Sequence, residues 1–430
     1  MKRFLIFLSI ALSAFAVSAE TRLTFDQALR LALRVNNQVE AAQQEINVAE
    51  ENRSYLLSQV LPHIQATGNL QRNSLQQTVD FGGRSVAILP QNNWNYQVTL
   101  QQPIFAGLRE QRAYSQAKIG IQNAQQNSQL TQDQVLLRVA SSFLALVNAG
   151  ARIDVEQKNI ELAQNRLKQS QAFFNAGEVT KVDVLRAETA VKAAQRQLAA
   201  AQQGRATAES DLRAALDIND AITAVPPAQA LPAVPADESV LVSDAIAKRP
   251  DVTVASNNVR IAGLEVQKQR GFWLPTVSFN GGFLNQKSPF PANSYAFGAL
   301  QFTVPIFSSG EVQARVASAK AQEEEAKLRL DTARTTARED VRKALVDLHA
   351  SETSLGLARD QLAAAQAEYT QTFELYRAQE ATSLDLASAE ASLADARRAV
   401  AEESLNRDLA QLRVWYAAGD IKQAVGVTNQ

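Results

Sequence analysis

Cysteine is absent from all 430 residues, which excludes a disulfide framework and any thiolate metal site. Aromatic residues make up 6% of the chain and prolines number 12. Ala, Gln, Leu, Arg and Glu dominate instead, the profile of long packed helices. The two histidines, His63 and His349, stand far apart. There is no Gly-x-Ser-x-Gly, no Gly-rich phosphate loop and no His-Glu-x-x-His, so no catalytic or metal constellation and no cofactor is expected. Long apolar runs are also scarce. Lys2-Arg3 precedes an apolar stretch at 4–17 that ends in Val17-Ser18-Ala19. At about 14 residues it is too short for an anchor of about 20, so residues 1–19 are read as a cleaved secretory signal peptide. Beyond it no stretch reads as apolar enough for a membrane helix, so a membrane crossing would have to be made by strands. Without Lys2 and Arg3 the chain carries 41 basic and 44 acidic residues, a formal −3. That balance gives no electrostatic case for nucleic acid.

What is present is a duplication. Pro103-Ile104-Phe105-Ala106-Gly107 leads into a run ending Ala117-Lys118, and Pro305-Ile306-Phe307-Ser308-Ser309-Gly310 leads into one ending Ala319-Lys320, each 202 positions later. The offset still holds where Ala176, Gly177, Glu178, Val179 and Thr180 face Ala378, Gln379, Glu380, Ala381 and Thr382, with Asp183 over Asp385. Equal length kept with little identity is expected of rods that must match their neighbours.

The chain divides into a first repeat at 20–218, a linker at 219–240 holding Pro226, Pro227, Pro232 and Pro235, a second repeat at 241–418 and a tail at 419–430. Thr24 and Gln27 have capping-box spacing, with Leu23 placed to staple onto Ala28, and one helix is expected from there to Pro62. The period then changes from 3.6 to 2. Strands are expected at about 63–72 and 93–103, joined by a loop containing Gly82-Gly83 and Pro90. The stretch from Ala106 to Phe174 has no proline and is expected to form a rod of roughly 100 Å, lying in a coiled-coil-like layer. Arg249-Pro250-Asp251-Val252 opens the second repeat's first helix, strands follow at about 275–285 and 295–305, and Ser308 to Glu311 reads as a capping box for the second rod. Tyr295 and Phe297 fall on the face of the fourth strand that should be polar.

Ten-residue strands with one greasy and one amide-rich face have the pattern of transmembrane β-strands. Between rods they have no other core to bury against. Four strands cannot close a barrel, and an open edge in lipid leaves backbone groups unpaired at several kcal/mol each, so several chains must share one barrel. Trp94, Tyr96, Val98 and Leu100 are read as lipid-facing. Trp94 at one end, and Phe105, Phe307, Phe272 and Trp273 at the other, are placed like aromatic girdles.

On the duplicated plan, Arg249-Pro250-Asp251-Val252, Leu274-Pro275-Thr276-Val277-Ser278, the two Pro-Ile-Phe turns and Ala176-Gly177-Glu178-Val179-Thr180 with Asp183, the chain resembles the TolC family of outer-membrane efflux and secretion channels over its mature length. The resemblance implies a mainly α fold with a small transmembrane β part, assembled as a homotrimer. Its twelve-stranded barrel would sit in the outer membrane of a Gram-negative-type bacterium and continue into a helical periplasmic tunnel. It also implies an equatorial girdle of linker and tail, and tips (176–180 and 378–382) that contact a periplasmic adaptor and an inner-membrane pump. With no cysteine after the leader, the acylated N-terminus of some relatives is not expected. Asp183 and Asp385 are spaced as capping-box partners of Thr180 and Thr382, and the resemblance adds a periplasmic gate, with Asp385 in a carboxylate ring that favours cations. The chain departs from the pattern at Asn37, where a proline would match Pro250, and at Gln379, which replaces the tip glycine. Ala381 and Ser388 stand where an arginine and a carboxylate of the closed gate would be. Small-molecule efflux and protein secretion are not separated by these residues, and a poreless periplasmic coiled-coil scaffold is the reading from another class.

Overall fold

The computed structural model describes residues 21–227, 230–288 and 292–427; the expected signal peptide lies outside them, as do the last three residues of the tail. In chain order the elements are β1 (Thr21–Leu23), α1 (Phe25–Val35), α2 (Asn37–Ser58), β2 (His63–Arg72), β3 (Gln77–Phe81), β4 (Arg84–Leu89), β5 (Asn92–Ala106), α3 (Arg109–Asn175), α4 (Lys181–Leu216), β6 (Ile222–Ala224), α5 (Glu238–Lys248), α6 (Pro250–Arg270), β7 (Thr276–Gln286), β8 (Ser294–Thr303), α7 (Glu311–Arg377), α8 (Ser383–Ala417) and α9 (Ile421–Ala424). The helix–strand–strand–helix plan thus occurs twice, and α3 and α7 are each 67 residues long. The chain falls into two compact units. One comprises the described parts of Met1–Glu40, Gln132–Leu241 and Asp340–Gln430, the other Ala41–Thr131 and Val242–Glu339.

The first unit holds a large core. Ala28, Leu29 and Ala32 of α1 recur at helical spacing and meet Val135, Leu136, Val139 and Phe143 of α3, Leu212 and Leu216 of α4, and Leu412 of α8. Phe25 closes onto Phe143 edge to face at 5.4 Å. α1 starts where Thr24 and Gln27 satisfy each other's backbone N–H, at 3.0 and 3.3 Å, and Leu23 and Ala28 share the core beneath. By composition α3 is long and apolar enough to cross a membrane, against the expectation that no stretch is. Its most apolar side chains instead fill this core. The linker is fastened to α8, because Pro232 C=O accepts from Gln411 Nε2 at 2.7 Å and from Trp415 Nε1 at 3.2 Å.

The single helix expected up to Pro62 is broken at Asn36. Its side chain is almost fully buried, donates to Ala215 C=O at 3.0 Å and accepts from Gln38 N–H at 2.9 Å. Asn37 N–H donates to Asp217 at 3.1 Å, and Asp217 ends α4 in the left-handed region at φ 57°. In the second repeat the break between α5 and α6 is made conventionally, with Pro250 as the first residue of α6. Side-chain hydrogen bonds therefore do at Asn36 what a proline does at Pro250.

In the second unit the sheet order is β2-β5-β7-β8, antiparallel throughout. Directly paired residues share a face. One face therefore carries Ile64–Leu100, Ala66–Val98–Phe283, Leu70–Trp94, Phe279–Leu300 and Val277–Phe302, while the other carries Gln65–Thr99, Thr67–Gln97 and Asn69–Asn95. β5 bulges between Pro103 and Phe105, where proline has no N–H to give the ladder. The connection expected as a loop is itself a hairpin of β3 and β4. Gly82 and Gly83 turn it with φ of 57° and 81°, the positive pair that a two-residue hairpin turn requires. The capping box expected at Ser308 is replaced as well. Glu311 N–H donates to Ser308 C=O at 2.9 Å, and the Glu311 carboxylate takes Arg315 instead, at 2.6 Å.

Candidate functional site: membrane strands and helical tips

The apolar face of the sheet is open to its surroundings. Ile64 is 72% exposed, Leu70 77% and Val98 47%. A contiguous exposed apolar surface of this kind marks a membrane or protein contact. Tyr96, Val98 and Leu100 lie on it, with Trp94 tilted against Tyr96 at 5.4 Å. Phe105 follows the bulge and pairs with Val277, Trp273 is partly exposed, and Phe307 stands clear beyond the end of β8. Phe272, read with them as a girdle residue, sits instead between two cations. The Arg109 guanidinium lies 4.3 Å and that of Arg315 5.0 Å from its ring centre, so it spaces the starts of α3 and α7.

At the tips, one turn geometry is made from two different residues. Gly177 (φ 80°) and Gln379 (φ 63°) both enter the left-handed region. Glu178 N–H reaches back to Phe173 C=O at 2.9 Å, and Glu380 N–H to Leu375 C=O at 2.8 Å, the helix-ending bond that a left-handed residue permits. Thr180 and Thr382 then open α4 and α8. Each gives its N–H to the aspartate three residues on, at 3.1 and 2.9 Å, and Thr382 also accepts from Asp385 N–H at 3.2 Å.

Beyond capping, the two aspartates differ. Asp183 is half-buried and accepts from the Ser383 hydroxyl, with Arg186 at 3.7 Å. The Ser383 hydrogen bond, then that of Thr180, holds its carboxyl below the usual range. Asp385 is exposed and held below that range by Thr382 alone. Of the two residues expected at a gate, one is tied to Ser383 and the other is exposed and hydrogen-bonded only to its own capping threonine among the described residues.

Behind Asp183 runs a polar chain that sequence reasoning missed. Arg166 of α3 is buried, donates to Ser383 C=O at 2.8 Å and pairs with Glu390 of α8 at 3.1 Å. Burial pushes the Glu390 carboxyl up while Arg166 opposes this. Further along, buried Glu156 pairs with Arg398 at 3.3 Å, and Asn159 accepts from Arg397 at 3.3 Å. Between α3, α4 and α8 these groups line a groove of about 260 Å³ with an alanine floor. Glu156, Asn159, Ala163, Arg166 and Ser170 are all buried. Their 3-4-3-4 spacing is that of a coiled-coil seam, which is the signal available in the sequence.

Residues 28–217 and 241–420 match the family profile described as Outer membrane efflux protein. The Outer membrane efflux protein BepC of Brucella suis is 22% identical over 376 residues, covering 86% of this chain and 79% of that one. The Alkaline protease secretion protein AprF of Pseudomonas aeruginosa is 24% identical over 410 residues, covering 92% and 84%. Among solved structures, the CmeC outer membrane channel of Campylobacter jejuni superposes with a TM-score of 0.77 at 18% identity, over 92% of this chain and 86% of that one. At that identity the likeness is one of fold.

Proposed function

Because the chain belongs to the outer membrane efflux protein family, we propose that three copies form an export duct through which small molecules leave the periplasm. Three four-stranded sheets joined edge to edge make a twelve-stranded barrel, with the face of Val98 toward lipid and that of Gln97 toward the lumen. The observation that carries this is the sheet itself. Its apolar face is exposed, and its edges, β2 and β8, each have a strand on one side only among the described residues, a state that lipid does not tolerate. The partners in this reading are a periplasmic adaptor, met by the tips at 176–180 and 378–382, and an inner-membrane pump. The chain performs no catalysis; energy comes from the pump. Similarity to AprF, whose name is that of a protease secretion protein, favours protein secretion as the second reading, and the genes beside this one would distinguish the two.

Asp385 supplies fixed charge at the closed tip, while Asp183 is spent on Ser383. The test is single-channel recording of purified oligomer in planar bilayers. Discrete cation-selective steps are expected, with selectivity lowered in Asp385→Asn more than in Asp183→Asn. A correctly folded oligomer that gives no steps would leave the poreless scaffold as the better account.

A further inference from the structure

The luminal face assigned above is not amide throughout. Tyr295 pairs with Leu284, and Phe297 with Gly282, on the same face as Gln97 and Thr99. By the 202-residue offset, Tyr295 and Phe297 occupy the places of Asn93 and Asn95 in the first repeat. The two rings lie 6.5 Å apart, tilted, and Phe297 remains 37% exposed. A Cβ on Gly282 would come 2.3 Å from Val98 C=O and 3.1 Å from the Phe297 ring, so glycine is needed there by the neighbouring strand and also lets that ring lie across it. Covering a glycine accounts for Phe297 but not for Tyr295 and Leu284 beside it.

We propose that Tyr295, Phe297 and Leu284 form a contact site for aromatic, amphiphilic cargo inside the barrel; the proposal rests on the duct reading above. The site lies close to the β7–β8 connection, the end of those strands away from α6 and α7, and therefore near the outer mouth. Lipid cannot reach this face in a closed barrel, and water is better served by the asparagines that the first repeat keeps there. What remains to meet the rings is the solute in transit. The neighbours are Gln97, Thr99 and Asn280, uncharged donors and acceptors that suit the polar rim of a flat aromatic body. Contacts of this size slow passage briefly without trapping the solute, as a duct requires.

The test uses full-length oligomer in planar bilayers with two dications in the bath, propidium, which is aromatic, and hexamethonium, which is aliphatic. Exchanging either ring for the first repeat's residue, Tyr295→Asn or Phe297→Asn, should shorten propidium block about three- to ten-fold, the worth of one aromatic contact, and leave hexamethonium block unchanged. Thr303→Asn, on the same face but at the other end of β8, where it pairs with Thr276, should change neither. Phe297→Trp should hold propidium as long as the parent or longer, and if Phe297→Asn does not assemble, Tyr295→Asn decides. Unchanged propidium dwell times, or equal losses for both dications, would overturn the proposal. So would a rise in conductance with dwell times unchanged, because the rings would then be a plug between copies. An absence of conductance in the parent protein is a different failure, that of the duct itself.

Discussion

The tripeptide Pro-Ile-Phe occurs once in each repeat and is used in two ways. In the first it forms the bulge of β5 and stays paired to β7. In the second it follows the end of β8, with Ile306 95% and Phe307 86% exposed. Local sequence is the same, so the neighbour decides. Among the described residues β5 has a strand on each side, whereas β8 has one only. The turn that follows shows the same dependence. Gly107 and Leu108 are both left-handed, as are Ser309 and Gly310, but the glycine has changed places. A Cβ on Gly107 would lie 2.2 Å from Gly271 C=O, so glycine is obligatory there. At position 309 serine is accommodated.

The largest effect should come from breaking that asymmetry. Gly107→Ala combines a backbone clash with left-handed strain and should cost more than about 3 kcal/mol, while Ser309→Ala should be near neutral; thermal unfolding of the oligomer compares them. Next come the matched strand positions Val98 and Leu300. Arginine at a lipid-facing midplane position costs about 2–4 kcal/mol, so Val98→Arg should lower assembled protein in the membrane and Gln97→Arg should not. Leu300→Arg should match Val98→Arg if β8 is sealed by another copy's β2. A much milder outcome at Leu300 would mean that β8 stays an open edge.

A third difference is Asp133, whose counterpart is Thr335. Asp133 is buried 3.8 Å from Lys422, and burial, only partly offset by Lys422, raises its pKa from 3.8 to about 6. The folded chain therefore holds this proton after the unfolded chain has lost it. Its contribution is fully favourable below about pH 4 and is lost as pH rises through about 6. Asp133→Asn should stabilise the first unit by ~2 kcal/mol at pH 7 and flatten the pH dependence between those values. Unchanged melting across that range in the variant and the parent would contradict the burial argument. The smallest effect belongs to the tips. Gln379→Gly should relieve left-handed strain and add about 1 kcal/mol, and Gly177→Ala should lose a similar amount, as read by denaturant midpoints.

The repeat and the switch from helix to strand were legible because a change of period from 3.6 to 2 is a property of the sequence alone. Breaks that depend on a partner were not. Asn36 interrupts a helix through Ala215, a residue far along the chain that no local pattern reveals, whereas Pro250 announces its break by itself. The hairpin of β3 and β4 was hidden because its strands are only five and six residues long, too short for alternation to be told from a loop. At the tips, Thr180-Asp183 and Thr382-Asp385 were readable as caps. The Ser383 hydroxyl that distinguishes Asp183 from Asp385 was not, since it comes from the other hairpin. Arg166 was missed for the opposite reason: its seam spacing was in view, but charge on a long helix ordinarily means solvent.

A barrel closed by three copies requires β8 of one copy to meet β2 of the next. Since the chain has no cysteine, disulfides can be placed there without background, pairing cysteines at Thr67 or Asn69 of β2 with cysteines at Ala299 or Gln301 of β8 in the full-length protein in outer membranes. Oxidation should give, for at least one pairing, a covalent ring of three chains and nothing larger. Dimers that do not progress, a ladder extending beyond three, or no linkage at any pairing in protein that has reached the membrane would contradict a barrel closed by three copies.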